Sequence, residues 1–161
     1  MSFKALYRTY RPSRFEDLVG QEVISTILKN ALIKNRLSHA YLFCGPRGTG
    51  KTSSAKILAK AVNCENLEAG EPCNHCAFCL AMQEDRMMDV YEIDAASNRG
   101  IESMRELKEM AFFAPAQAKY KVFIIDEVHM LTTEAFNALL KILEEPPEHI
   151  LFILATTDPD K

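Results

Sequence analysis

Apolar and polar positions along this chain fall into blocks whose period switches between that of a strand and that of a helix. Ala40-Tyr41-Leu42-Phe43-Cys44 is an apolar run, a buried strand that stops at a glycine; Val90-Tyr91-Glu92-Ile93, Val122-Phe123-Ile124-Ile125 and Ile150 to Leu154 are three more strands. Three of these runs are nearly continuous, the pattern of parallel strands covered on both faces. Ile24, Ile27, Leu28, Ala31 and Leu32 recur at helical spacing and predict a helix before the first strand. Lys51 to Val62 predicts a second, with Ala55, Leu58, Ala59 and Val62 on one face. Ile101, Met104, Leu107, Lys108 and Ala111 predict a third, opened by Asn98-Arg99-Gly100 and closed before Pro115. The last begins near Thr132 or Thr133, either able to cap it, carries Phe136, Leu139, Leu140 and Leu143 inward, and must stop by Pro146-Pro147. Strand and helix in alternation predict an α/β fold, a parallel sheet flanked by helices with right-handed crossovers. Only the cysteine-rich stretch 63–86 breaks the composition.

Composition changes this picture little. A length of 161 residues is about one domain, and 48% apolar with 25% charged residues is ordinary for a soluble one. A net charge of −3 provides no overall basic field, so contact with nucleic acid would have to come from local basic residues or from partners. No apolar run reaches about 18 residues and Met1-Ser2-Phe3-Lys4 opens no secretory core, so a cytoplasmic protein with no membrane partner is expected.

The chemistry begins after the first strand. Gly45-Pro46-Arg47-Gly48-Thr49-Gly50-Lys51-Thr52 matches the phosphate-binding pattern G-x-x-x-x-G-K-[ST] between a predicted strand and a predicted helix. Its glycines let backbone N–H groups turn inward around phosphates, and the helix that follows aims its N-terminus at the anion. Lys51 is expected to reach the β- and γ-phosphates of ATP and Thr52 to ligate Mg²⁺. Such a loop does not distinguish kinase, GTPase and ATPase; the third strand decides more. It ends in Asp126-Glu127, with Asp126 placed for the Mg²⁺ shell and Glu127 for polarising a water, which favours hydrolysis. Two solvated acids at a strand end are the alternative. Thr156 or Thr157, where the fourth strand emerges, can contact the γ-phosphate, with helix capping an equal competitor.

Cys64, Cys73, Cys76 and Cys79 form C-x₈-C-x₂-C-x₂-C, with Gly70-Glu71-Pro72 bending the chain back toward Cys64. Four thiolates suit a closed, structural Zn²⁺ site, although His75 can replace one of them and four ordinary thiols remain the alternative. An insertion with few apolar residues would draw much of its folding free energy from the metal. The fifth cysteine, Cys44, reads as a small core hydrophobe.

Taken together, GPRGTGKT, IIDEVHML, NALLKILEEPPEH, ATTDP and the four-cysteine module resemble an AAA+ ATPase of the clamp-loader type, within the group of bacterial DNA polymerase III gamma/tau subunits. The likeness runs from Tyr7-Arg8-Thr9-Tyr10-Arg11-Pro12 to the last residue. It implies a subunit that joins related clamp-loader subunits in a hetero-oligomeric ring and uses ATP to place a sliding clamp on primed-template DNA. It also implies that Arg11, Pro12, Val19 and Gly20, with Gln21, line an adenine pocket, and that Thr156 is the γ-phosphate sensor. Arg99, Arg105 and Lys141 would face DNA, or else are solvated helix charges. Residues 1–161 are then one AAA+ domain with its zinc insertion at 63–86. The family places a Ser-Arg-Cys arginine finger, a fifth strand and a helical lid beyond the sensor, so the domain is expected to be truncated and to leave an open sheet edge beside the first strand. It would accept a neighbour's finger without supplying one. Competing readings are a non-hydrolysing scaffold subunit similar to delta-prime, a small-metabolite kinase, and another AAA+ motor such as a branch-migration helicase. The intact Gly50-Lys51-Thr52, Asp126-Glu127 and the cysteine module weigh against them.

Overall fold

The computed structural model describes residues 12–18, 20–46, 50–84, 86–116 and 118–158. In chain order its main elements are α1 (Glu22–Ile33), β1 (Ala40–Cys44), α2 (Lys51–Asn63), α3 (Ala77–Gln83), β2 (Val90–Asp94), α4 (Ile101–Ala111), β3 (Lys121–Asp126), α5 (Thr133–Glu144) and β4 (Ile150–Thr156). Short 3₁₀ turns, Phe15–Asp17 and Val128–Met130, precede α1 and follow β3. The predicted helices and strands are present, and α5 is capped by Thr132, whose Oγ1 accepts the N–H of Ala135 at 3.2 Å. Helix α3 was not anticipated.

The strands form one parallel sheet in the order β1-β4-β3-β2. Because side chains alternate along a strand, β3 and β4 feed two cores at once. Val122, Ile124, Leu151 and Ile153 meet Leu28, Ile57 and Leu58 of α1 and α2 on one face. Phe123, Ile125, Phe152 and Leu154 meet Met104, Leu107 and Leu139 of α4 and α5 on the other. Across that second face Tyr91, Phe123 and Phe152 stack with ring centroids 5.0 and 5.5 Å apart, adding aromatic attraction to burial.

Three expectations need correction. β1 and β2 are edge strands and are covered less completely than β3 and β4. In β1, Tyr41 and Phe43 pack on the first core, but Leu42 is 55% exposed and Cys44 is exposed. Cys44 is therefore not a core residue: the core under α4 and α5 reaches Ala40 at the start of β1 and leaves Leu42 and Cys44, farther along the same face of this edge strand, uncovered. In α5 the buried stripe is Ala135, Leu139 and Ile142, while Leu140 is 38% exposed. A helix turns about 100° per residue, so position 140 rotates away from the stripe that 135, 139 and 142 share.

Candidate functional site

The carboxyl ends of β1, β3 and β4 converge, and their loops carry the predicted phosphate chemistry. Gly45 leaves β1 with its N–H donating to Thr156 O at 3.2 Å, which ties the start of the loop to the end of β4. Gly50 closes the described part of the loop in a left-handed conformation (φ 83°) and caps α2, its carbonyl accepting from both Ser54 N and Ser54 Oγ at 2.8 Å. That conformation favours glycine. Lys51 curls back under the loop, its Nζ donating to Gly45 O at 2.6 Å and Pro46 O at 2.8 Å. Arg47, Gly48 and Thr49 lie outside the described residues.

Thr52 and Asp126 meet although 74 residues separate them: Thr52 Oγ1 donates to Asp126 Oδ2 at 3.4 Å. A hydroxyl in the first turn of the helix behind the loop and a carboxylate at the tip of β3, two strands across from β1, are hard oxygen donors of the kind Mg²⁺ takes beside a phosphate. Asp126 Oδ1 also accepts the Glu127 N–H at 3.0 Å, which fixes its carboxylate.

Glu127 adopts φ 55°, ψ 44°, a left-handed conformation that costs a non-glycine residue of order 1–3 kcal/mol. This turn swings its side chain toward β4. Glu127 Oε2 lies 3.3 Å from His129 Nε2 and 3.4 Å from Thr157 Oγ1, which donates to it. The other ring nitrogen, Nδ1, is 2.8 Å from Thr156 Oγ1. Thr156, 2% exposed, accepts the Asp158 N–H at 3.0 Å, and its hydroxyl proton is free to turn toward the imidazole. The Glu127 carboxylate can only accept, so the ring nitrogen facing it, Nε2, is the donor, and in that tautomer of the neutral ring Nδ1 accepts the Thr156 hydroxyl. Thr156, His129 and Glu127 thus form one chain of hydrogen bonds. His129 is not among the residues predicted from sequence: it stands two residues after Glu127, but its partner Thr156 comes from β4.

Beside the loop opens a cleft of about 250 Å³ lined by Gln21, Ile24, Phe43, Cys44, Gly45, Pro46, Lys51 and Ser54. Gly20 directly precedes this wall, whereas Pro12 does not line it; Arg11 and Val19 lie outside the described residues. Elsewhere, Arg105 and Lys141 share a groove of about 580 Å³ between α4 and α5, where Arg105 pairs with Glu102 at 2.6 Å. Arg99 instead donates to Met130 O at 3.1 Å.

The four cysteines of the insertion come together, with all Sγ atoms within 4.8 Å of one another. The Cys73–Cys79 and Cys64–Cys76 sulfurs are 3.9 and 4.0 Å apart. A tetrahedron with Zn–S of about 2.3 Å has edges of about 3.8 Å, so the donor set fits zinc. Cys64 Sγ accepts amide N–H groups from Asn66 (3.4 Å) and Cys73 (3.3 Å), and Cys73 Sγ from His75 (3.4 Å) and Cys76 (3.2 Å). Such donors favour thiolates. Burial pushes the Cys64 and Cys79 thiols up. For Cys76 burial acts in the same sense, but amide and neighbouring-thiol hydrogen bonds outweigh it and bring the thiol down to about 6. His75 is exposed and its ring is not part of the cluster.

A family model described as "DNA polymerase III, delta subunit" matches residues 20–161. The chain is 62% identical over its whole length to DNA polymerase III subunit tau of Bacillus subtilis, and 54% identical over 98% of its length to subunit gamma/tau of Mycobacterium tuberculosis. It spans 29% and 28% of those two proteins. Among solved structures, a gamma subunit-related protein of Thermotoga maritima aligns with 82% of this chain and 38% of its own, at 26% identity and TM-score 0.59. The Thermotoga maritima RuvB branch migration motor aligns over 92% of this chain and 42% of its own, with TM-score 0.57 at 19% identity, a likeness of fold alone. Among the described residues no helix is long and apolar enough to cross a membrane.

Proposed function

This chain belongs to the AAA+ clamp-loader subunits of DNA polymerase III, the family that the delta-subunit model describes, and on that premise we propose that it binds and hydrolyses ATP to load a sliding clamp on primed-template DNA. The observation that carries the reading is the meeting of Lys51, Thr52, Asp126, Glu127 and Thr156 at the ends of three parallel strands, where ligands of such sheets bind.

In this reading residues 45–52 wrap the phosphates and the Lys51 ammonium moves from the loop carbonyls to the β- and γ-phosphate oxygens. Thr52 and Asp126 would hold Mg²⁺, which would supply positive charge to offset that of the phosphates. Glu127 orients a water in line with the γ-phosphorus and draws off its proton. Thr156 has one hydroxyl proton to give, either to His129 or to a phosphate oxygen, so contact with the nucleotide is felt at Glu127 through the imidazole. Residues 1–161 act as one AAA+ unit, with the 63–86 insertion folded around zinc. Arg11, Pro12, Val19 and Gly20 belong to the adenine side. The remaining ring subunits, the clamp and DNA are the partners, in the cytoplasm. A non-hydrolysing scaffold is disfavoured because no such role requires the Thr52–Asp126 pair or a strained Glu127.

The test is MgATP hydrolysis by the full-length protein in its ring, with and without sliding clamp and primed DNA. Turnover stimulated by both together, and abolished by Lys51→Ala with the fold intact, is expected. Turnover indifferent to clamp and DNA would move the function to another AAA+ class, and normal turnover by Lys51→Ala would overturn the phosphate-site assignment.

A further inference from the structure

The insertion grips the rest of the protein through two buried charges and one close backbone approach. Glu71, 3% exposed, accepts the N–H of Phe15 at Oε1 (2.7 Å) and of Glu16 at Oε2 (3.0 Å), so one carboxylate holds both amides that open the Phe15–Asp17 turn. Lys60 of α2, 5% exposed, donates to Ser13 O at 2.7 Å and to Asn74 Oδ1 inside the insertion. Gly70 (φ 82°) lies so close to α1 that an added Cβ would stand 2.7 Å from Lys29 Cβ and 2.8 Å from Lys29 Cα. The gripped pieces are also joined to each other, since Ser25 Oγ of α1 donates to Phe15 O at 3.2 Å. Between them runs the chain through Gly20 to Gln21, and Gln21 and Ile24 form the cleft wall that faces Gly45, Pro46 and Lys51. A buried carboxylate is unfavourable unless its hydrogen bonds are met, and these two bonds reach 56 and 55 residues back in sequence, to the segment that enters this wall.

We propose that the cysteine insertion sets the nucleoside side of the cleft, with Glu71 and Lys60 as positioning residues that hold residues 13–17 and α1 at the distance from the phosphate loop that a nucleoside requires. The proposal rests on the nucleotide reading above. The phosphate loop is tied to β4 and α2 and does not depend on these contacts. Nucleoside and phosphate recognition are therefore separable in this protein.

Affinities for MgATP and for magnesium tripolyphosphate, which has the phosphates without the nucleoside, separate the two. They are measured on the full-length protein by calorimetry, with zinc content determined alongside. Glu71→Gln and Lys60→Met are each expected to weaken MgATP about tenfold, as loss of a charge-assisted hydrogen bond would, with tripolyphosphate unchanged and zinc retained. Equal weakening of both ligands, or no weakening of MgATP, overturns the proposal. A measurement on the unsubstituted protein stands beside these variants. Zinc chelation should speed amide exchange at Phe15 and Glu16 and weaken MgATP without weakening tripolyphosphate; exchange and affinity that both stay constant overturn the proposal. If the unsubstituted protein binds neither ligand, the nucleotide reading fails as well; binding by the wild type with variants unchanged sinks the positioning role alone.

Discussion

Thr156→Val isolates one hydroxyl. Valine keeps the shape of threonine, so the 2% exposed site stays filled and no cavity opens. Two groups lose their partner: the Asp158 N–H at 3.0 Å and His129 Nδ1 at 2.8 Å. Both are partly shielded from water, and an unpaired group of this kind costs up to about 1–3 kcal/mol. The functional effect has two sources, because the hydroxyl faces the proposed γ-phosphate and also bonds the ring that contacts Glu127. Loss of one such preorganised contact in the transition state is worth roughly 1.4–2.8 kcal/mol, a fall in kcat of about 10- to 100-fold. MgATP binding is expected to change far less, since Lys51 and the loop are untouched. The assay is single-turnover hydrolysis by the full-length protein, paired with an equilibrium measurement of MgATP affinity and urea unfolding. Thr156→Ser retains the hydroxyl and is expected to retain most of the rate. A folded Thr156→Val with wild-type turnover refutes the sensor role; equal impairment of both variants attributes the effect to side-chain shape.

Glu127→Gln should bind MgATP normally yet cleave it at least about 100-fold more slowly, read by trapping bound nucleotide after a single turnover; unchanged cleavage removes Glu127 from the reaction. Chelating zinc should expose the amides of residues 64–84 to exchange while those of β3 and β4 stay protected, since no cysteine of the cluster contributes to either strand; parallel loss in both would show that insertion and sheet unfold as one unit. Gly70→Ala must both enter a left-handed conformation and push Lys29 away, and is expected to destabilise by about 2–4 kcal/mol in urea unfolding; a change below about 0.5 kcal/mol would mean that the insertion is not held against α1.

What could be read from sequence followed the range of the physics involved. The phosphate loop and the Asp126-Glu127 pair are contiguous, and their chemistry depends on neighbours along the chain, so their flanking strands and helix were legible. β3 and β4 were legible because strands covered on both faces need uninterrupted apolar residues. An open edge at β1 was expected from the family resemblance, but the apolar run itself, read as a buried strand, does not show that Leu42 and Cys44 are exposed along it. Helix α3 was hidden because two of the cysteines that drew attention as ligands, Cys76 and Cys79, also cap and occupy it. The chain of bonds through His129 joins β3 to β4, and Glu71 reaches Phe15 across 56 residues; neither has a local signature.

The strand order also bears on the protein's synthesis. β4 is the last of the four strands to leave the ribosome, yet it is the one to which both β1 and β3 are hydrogen-bonded. Until it arrives, Gly45 has no Thr156 carbonyl to anchor it and Glu127 has no threonine chain behind its imidazole. At about 5–20 residues per second, the stretch from Glu127 to Thr156 takes roughly 1.5–6 s to make. During that interval the apolar run Val122–Ile125 has one unpaired edge, a template for association with other nascent chains and a place for a chaperone to bind. The proposed nucleotide site is therefore incomplete until β4 has been made, because Thr156 and the anchor of Gly45 arrive only with that strand.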